Sequence, residues 1–171
     1  MIQVSIVLYP GVASGQVCGI ADYFRFCNDL AQFQQPDLKE PLYQVQLMDI
    51  SNQPQHQAGM MNFQCQPLDF QHSQLIVIPG SYAHNNVELT AVIGLFQKAR
   101  QCFADAHQRQ IPIAASCNGS FALAATGLLV HVSELDIGVN TTNATTLTLT
   151  QDLENAQAEM YNYIITSYMR H

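Results

Sequence analysis

The stretch IPIAASCNGSFALAATGLL, residues 111–129, decides the fold. It opens with a continuous apolar run (111–116), the pattern of a strand covered on both faces. It closes with an Ala- and Leu-rich segment (121–129) that reads as a helix. Only Cys117, Asn118, Gly119 and Ser120 stand between them. That leaves no room for a loop, so the strand must turn directly into the helix. Ala115 and Gly119, both small and two residues either side of Cys117, let strand and helix approach closely. The pattern predicts a nucleophile elbow, usually built around serine as G-x-S-x-G. Cys117 then sits at a helix N-terminus, where free N–H groups and the helix dipole favour negative charge. The N–H of Asn118 points toward an anion beside the sulfur. The plain alternative is a small buried cysteine with no further role. An elbow thiol can bind, sense or react, and spacing alone does not choose.

Working outward, VSIVLYPG (4–11) and LIVIPG (75–80) repeat one pattern, a short apolar run closed by Pro-Gly. From 17 to 33 apolar residues recur at helical spacing: Ile20, Tyr23, Phe24, Cys27, Leu30 and Ala31. A strong amphipathic helix is predicted over 88–108, with Val92, Phe96, Ala99, Phe103 and Ala106 on one stripe. YQVQLMDI (43–50) alternates like a strand, and 59–65 reads as another, its hairpin partner. Short apolar strands alternating with helices predict an α/β fold: a flavodoxin-like layered sandwich, its sheet mostly parallel, with helices on both faces. Beyond 129 the signal weakens. The Thr-rich 141–150 suggests a strand or hairpin, 152–160 a short helix and 161–166 a last strand. With no internal repeat or interdomain linker, one domain over 1–171 is expected.

Composition excludes several classes. Of 171 residues 48% are apolar and 11% charged, too apolar for global disorder. The net charge is −7 and the six basic residues never cluster, which argues against a nucleic-acid surface on this chain. No run reaches membrane-spanning length. The N-terminal MIQVSIVLYPG lacks a basic lead and reads as a strand rather than a signal peptide. Five cysteines, odd in number and without a CxxC pair, suggest reduced thiols in a cytoplasmic protein. His56, His72 and His107 lie in polar stretches without partners at metal spacing, so neither metal nor cofactor is expected. Asp22 and Arg25 read as helix surface, and Met60-Met61 as packing.

LYPG (8–11), VIPGS (77–81) and AASCNGSFALAATGLL (114–129), in that order, resemble the ThiJ/PfpI group of the class I glutamine amidotransferase-like, DJ-1-like fold. The variant most similar is the sensory N-terminal domain of AraC-type transcriptional regulators. The resemblance covers residues 1 to about 129. It implies that Gly80 and Ser81, after the second apolar strand, form an anion pocket beside Cys117, with Asn118 and Gly119 completing it. It also marks departures. Asn118 stands where many enzymes of the group carry His. Gln16 aligns with an acidic residue that lies close to the sulfur in hydratase-like and thiol-sensing members. Gln cannot accept a proton as a base, yet it can hydrogen-bond a thiol or ligand. His131 falls at the wrong offset for the group's pocket histidine. His84 and Tyr82, just past the PGS loop, are weaker pocket candidates.

Three readings follow. One is a sensory, dimerising regulator domain that binds a small amine- or amide-bearing metabolite without chemistry. DNA would then be read by a separate helix-turn-helix module, of which these residues contain none. The second is a cysteine-dependent hydrolase or hydratase in which Cys117 attacks and the Asn118 and Gly80 N–H groups hold the oxyanion. The third is a subunit with a vestigial pocket that works only through protein contacts.

Overall fold

Strand β1 (Ile2–Leu8) is buried from Val4 onward, as its apolar run requires, with Ser5 the one polar residue inside. It lies at the centre of a five-stranded sheet of order β5-β2-β1-β6-β7, in which every pairing is parallel. Its neighbours are β2 (Tyr43–Asp49) and β6 (Leu75–Ile78), with Val4 opposite both Val45 and Leu75. The edges are β5 (Gln66–Pro67) and β7 (Ile113–Ala115). The computed structural model describes residues 1–82 and 86–128, all within one compact unit, Met1–Val130. The elements expected at 141–150, 152–160 and 161–166 lie outside the described residues.

Both faces of the sheet are covered. Helix α1 (Ser14–Gln34) lays Phe24 against Val4, Leu75 and Val77. Ile76 and Ile78, which alternate with those β6 residues and so face the other way, share a core with Phe96 and Phe103. These two aromatics belong to α2 (Asn86–Lys98) and α3 (Arg100–Gln108). The single helix expected over 88–108 is therefore two. Ala99, at φ −83° and ψ 0°, tightens the turn, and Cys102 N–H donates back to its carbonyl at 3.0 Å. The apolar stripe runs unbroken across this joint, so periodicity carries no mark of it. Helix α4 (Gly119–Ala125) begins earlier and ends sooner than its apolar run suggested. Thr126 Oγ1 donates to the Leu123 carbonyl, and Gly127 at φ +84° turns the chain away.

The hairpin of β3 (Gln55–Ala58) and β4 (Met61–Gln64) corrects two expectations: β4 pairs with β3 rather than with the strand at 43–49, and the Met60-Met61 pair is not packed away. His56, in a stretch that reads as polar, is buried, and its Nδ1 hydrogen-bonds Oδ2 of the equally buried Asp49. Asp49 Oδ1 accepts the N–H groups of Ser51 (2.7 Å) and Gln53 (3.2 Å), so one carboxylate ties the end of β2 to the hairpin. Strand alternation turns His56 and Ala58 inward although the segment reads as polar. Met60 and Met61, expected to pack, are exposed instead: Met60 lies in the turn with Gly59, and Met61, opposite Ala58 at the start of β4, has its Sδ 3.5 Å from Cys18 Sγ. All five cysteines are free. Burial, helped by the Asp49 charge, pushes the Cys65 thiol up to about 11. Among the described residues no helix is long and apolar enough to cross a membrane.

Candidate functional site

From β1 the chain steps to β2 on one side and, later, to β6 on the other. That order reversal is a topological switch point, and it puts the carboxyl ends of β1 and β6 side by side, the place where ligands of open α/β sheets collect. Both ends carry a Pro-Gly, and the two loops are zipped together. Ala13 N–H donates to the Gly80 carbonyl and Tyr82 N–H to that of Gly11, each at 2.8 Å. Val12 and Ser81 form an antiparallel bridge between them. The zipper lays the first turn of α1, which carries Gln16, against Gly80.

The turn from β7 into α4 completes the site. Ser116 N–H still donates to the Ile78 carbonyl at 3.0 Å, as a continuation of the sheet. Cys117 follows at φ +52°, a left-handed conformation that costs a non-glycine residue about 1–2 kcal/mol. Two glycines are dictated by crowding here. A Cβ on Gly119 would lie 2.6 Å from the Pro79 carbonyl oxygen and 2.7 Å from that of Ile78. A Cβ on Gly80 would lie 2.8 Å from Cys117 Cβ and 2.9 Å from Gln16 Nε2.

That close approach lets two side-chain amides cap two backbone donors. Gly80 N–H donates to Gln16 Oε1 at 2.6 Å, with Ser116 Oγ at 3.2 Å as a second acceptor. Ser116 Oγ–H itself donates to Gln16 Oε1 at 2.7 Å. Ser81 N–H donates to Asn118 Oδ1 at 2.6 Å, and Asn118 Nδ2 returns a bond to the Ser81 carbonyl at 2.8 Å. The backbone N–H groups of the PGS loop thus meet neutral carboxamide oxygens. Beneath them Tyr9 is fully buried and donates its hydroxyl to the Pro79 carbonyl. Burial raises its pKa far above the phenol range. The Ser81 side chain opposes that shift and Cys117 adds to it, so Tyr9 stays protonated.

Cys117, Asn118, Gly119, Gly80, Ser81 and Gln16 are therefore brought together, from three separate parts of the chain. Tyr82 stands exposed at the rim. His84 and His131 lie outside the described residues. Sequence reasoning missed Ser116 and Tyr9. The signal for Ser116 was available: it is the one hydroxyl in the IPIAAS run, directly before the cysteine. Among the described residues no group of three His, Cys, Asp or Glu is placed to hold a metal ion.

The strain at Cys117 has a measurable consequence. Cys117→Gly removes the left-handed penalty and adds some unfolded-state entropy, for a net gain of roughly 0.5–1 kcal/mol. Thermal unfolding should rise by about 2 °C. A fall would mean that the side chain contributes more through packing than the backbone loses.

No protein-family profile matches the chain, and no curated protein is similar to it in sequence. Solved structures do match. DJ-1β of Drosophila melanogaster superposes with a TM-score of 0.52 over 74% of this chain and 60% of its own, at 15% identity. The chain shares the fold of DJ-1. A proposed transcriptional regulator from Vibrio parahaemolyticus shares it, with a TM-score of 0.51 over 75% of this chain and 63% of its own, at 18% identity. The match thus spans less than two thirds of either relative. An AraC family transcriptional regulator from Pseudomonas putida aligns over 77% of this chain and 74% of its own, at 12% identity and a TM-score of 0.49.

Proposed function

We propose that this DJ-1-fold chain is the ligand-sensing and dimerisation domain of an AraC-type transcriptional regulator, binding a small molecule at the Cys117 site without turning it over. The observation that carries the reading is the capping of Gly80 and Ser81 N–H by the Gln16 and Asn118 amides. A catalytic cysteine needs a proton acceptor and free oxyanion donors. Gln16 and Asn118 do not titrate, and among the described residues no imidazole or carboxylate hydrogen-bonds the sulfur. A ring of amides suits a ligand bearing an amide or amine, which can exchange with them bond for bond. The regulator-like Vibrio protein of the same fold supports a regulatory role. On this reading the domain works in the cytoplasm as a homodimer, and DNA is contacted through a separate helix-turn-helix module.

One observation favours the enzyme reading, the strained backbone of Cys117, since such strain collects at reacting groups. Turnover separates the two. Wild type and Cys117→Ala are incubated with methylglyoxal, an aryl isocyanide and a casein peptide mixture, and both are screened by thermal shift against small amides and amines. The sensor reading expects no turnover, and the same stabilising compounds for both proteins. Turnover by wild type that vanishes in Cys117→Ala replaces it with a cysteine hydrolase or hydratase.

A further inference from the structure

Two carboxamides cap the PGS loop, and they differ in what they leave over. Asn118 spends both ends on Ser81, its Oδ1 on the N–H and its Nδ2 on the carbonyl. Gln16 spends only one. Its Oε1 takes Gly80 N–H at 2.6 Å and Ser116 Oγ–H at 2.7 Å, and among the described residues its Nε2 hydrogen-bonds nothing. The same two donors fix which way the amide faces. Turned over, it would set Nε2 against Gly80 N–H, donor against donor, and leave the Ser116 hydroxyl hydrogen without its acceptor. The uncommitted end lies beside the cysteine. The spot over Gly80 where a Cβ would stand is 2.9 Å from Gln16 Nε2 and 2.8 Å from Cys117 Cβ, so the two border one point. Both residues are partly exposed.

An amide nitrogen held there asks for an acceptor. A ligand that brings a carbonyl or carboxylate oxygen pairs with it. One that brings only an ammonium group sets donors against donors and leaves the amide unpaired, the arrangement that polar sites reject most strongly. Neither carboxamide nor hydroxyl ionises near neutral pH, so the sign of the preference does not change with pH. Ser116 touches Gln16 rather than the bound molecule, and its part is positioning: it holds Oε1 back and so turns Nε2 forward. Both anchors are rigid. Ser116 N–H donates to the Ile78 carbonyl at 3.0 Å, and Ala13 N–H, just before α1, donates to the Gly80 carbonyl at 2.8 Å. A donor preset in this way loses little freedom when a ligand arrives.

We infer that Ser116 locks the Gln16 carboxamide with its N–H groups toward the ligand, so that the molecule bound beside Cys117 presents a carbonyl or carboxylate oxygen to Gln16 Nε2. The inference rests on small-molecule binding at this site and narrows the ligand from amide or amine to one bearing such an acceptor. The test uses two neutral thiol reagents on the full chain. Iodoacetamide carries a carbonyl oxygen; allyl iodide has the same leaving group on an activated carbon and no acceptor. With either, the Cys117 sulfur bonds to the CH2 carbon, iodide leaves and the thiol proton passes to buffer. The readout, by peptide mass, is the iodoacetamide-to-allyl iodide rate ratio at Cys117, divided by that at Cys27, a partly exposed thiol on α1. A change in thiolate fraction cancels in the ratio. Wild type is expected to show about a fivefold preference for iodoacetamide, the worth of one neutral hydrogen bond. Gln16→Met should abolish it with the allyl iodide rate unchanged. Ser116→Ala, which keeps Gln16 and its Gly80 partner, should lose most of it, and Ser116→Thr should retain it. Should Gln16→Met fail to fold, the serine pair carries the test. A wild-type ratio equal to that of Gln16→Met, or a full ratio in Ser116→Ala, overturns this inference while binding at the site stands. A Cys117 that neither reagent reaches in the folded chain ends both, since the site then admits no ligand.

Discussion

Gly119→Ala is expected to destabilise the protein by at least about 3 kcal/mol, the largest effect of any single methyl group here. The new Cβ would stand 2.6 and 2.7 Å from two carbonyl oxygens, those of Pro79 and Ile78. Both belong to backbone held in or next to β6, whose Ile78 carbonyl also receives Ser116 N–H. Neither can retreat without breaking the sheet pairing, so α4 must lift off the strand ends. Gly80→Ala offers the contrast. Its Cβ would meet Gln16 Nε2, which can swing away, and Cys117 Cβ at 2.8 Å, which can yield only by a shift of the turn between β7 and α4 and not of the sheet. That variant should fold with a smaller loss, of the order of 1–2 kcal/mol, while losing the Gln16 cap on Gly80 N–H. Chemical denaturation of both measures the difference. Equal losses would mean that the β6 end is softer than its hydrogen bonds imply.

Asp49→Ala should cost about 3–5 kcal/mol, the usual scale for stripping one partner from a buried charged cluster. The carboxylate holds Ser51 N–H, Gln53 N–H and His56 Nδ1 together. Removing it strands all three donors, and the imidazole is already buried with Nε2 unpartnered among the described residues. An unfolding midpoint lowered by on the order of 10 °C is the expected readout. Pairing Asp49→Ala with His56→Ala should recover part of the loss, since the orphaned ring goes with its acceptor. Strict additivity of the two single losses would show that the pair does not act as a unit.

What was legible in the sequence was local. The runs at 4–8 and 75–78 declare themselves as strands because both faces of a parallel sheet are buried; the one polar residue among them, Ser5, is buried too and hydrogen-bonds Ser73. The turn at Cys117 was legible because strand, small residues and helix follow one another within ten positions. What escaped was long-range or invisible to periodicity. The Asp49–His56 pair joins a strand end to a hairpin that reads as polar, and nothing in QPQHQA marks one residue as interior. In α1 Tyr23, Phe24 and Leu30 belong to one helical pattern, yet the sheet takes only Phe24, since a helix lying on a sheet buries a narrower arc than its apolar residues span.

By itself, then, the chain determined the central strands and the first helix, their parallel layering, and the cysteine placed where a strand turns into a helix, because neighbouring residues dictate these through φ/ψ preference and burial period. Only the tertiary structure decided that the Gly80 and Ser81 N–H groups are capped. That depends on Gln16, Gly80 and Asn118 meeting within hydrogen-bond distance across 64 and 37 residues of chain. Such a meeting is fixed by the zipped Pro-Gly loops and by two glycines with no space for a methyl group, and no local pattern records it.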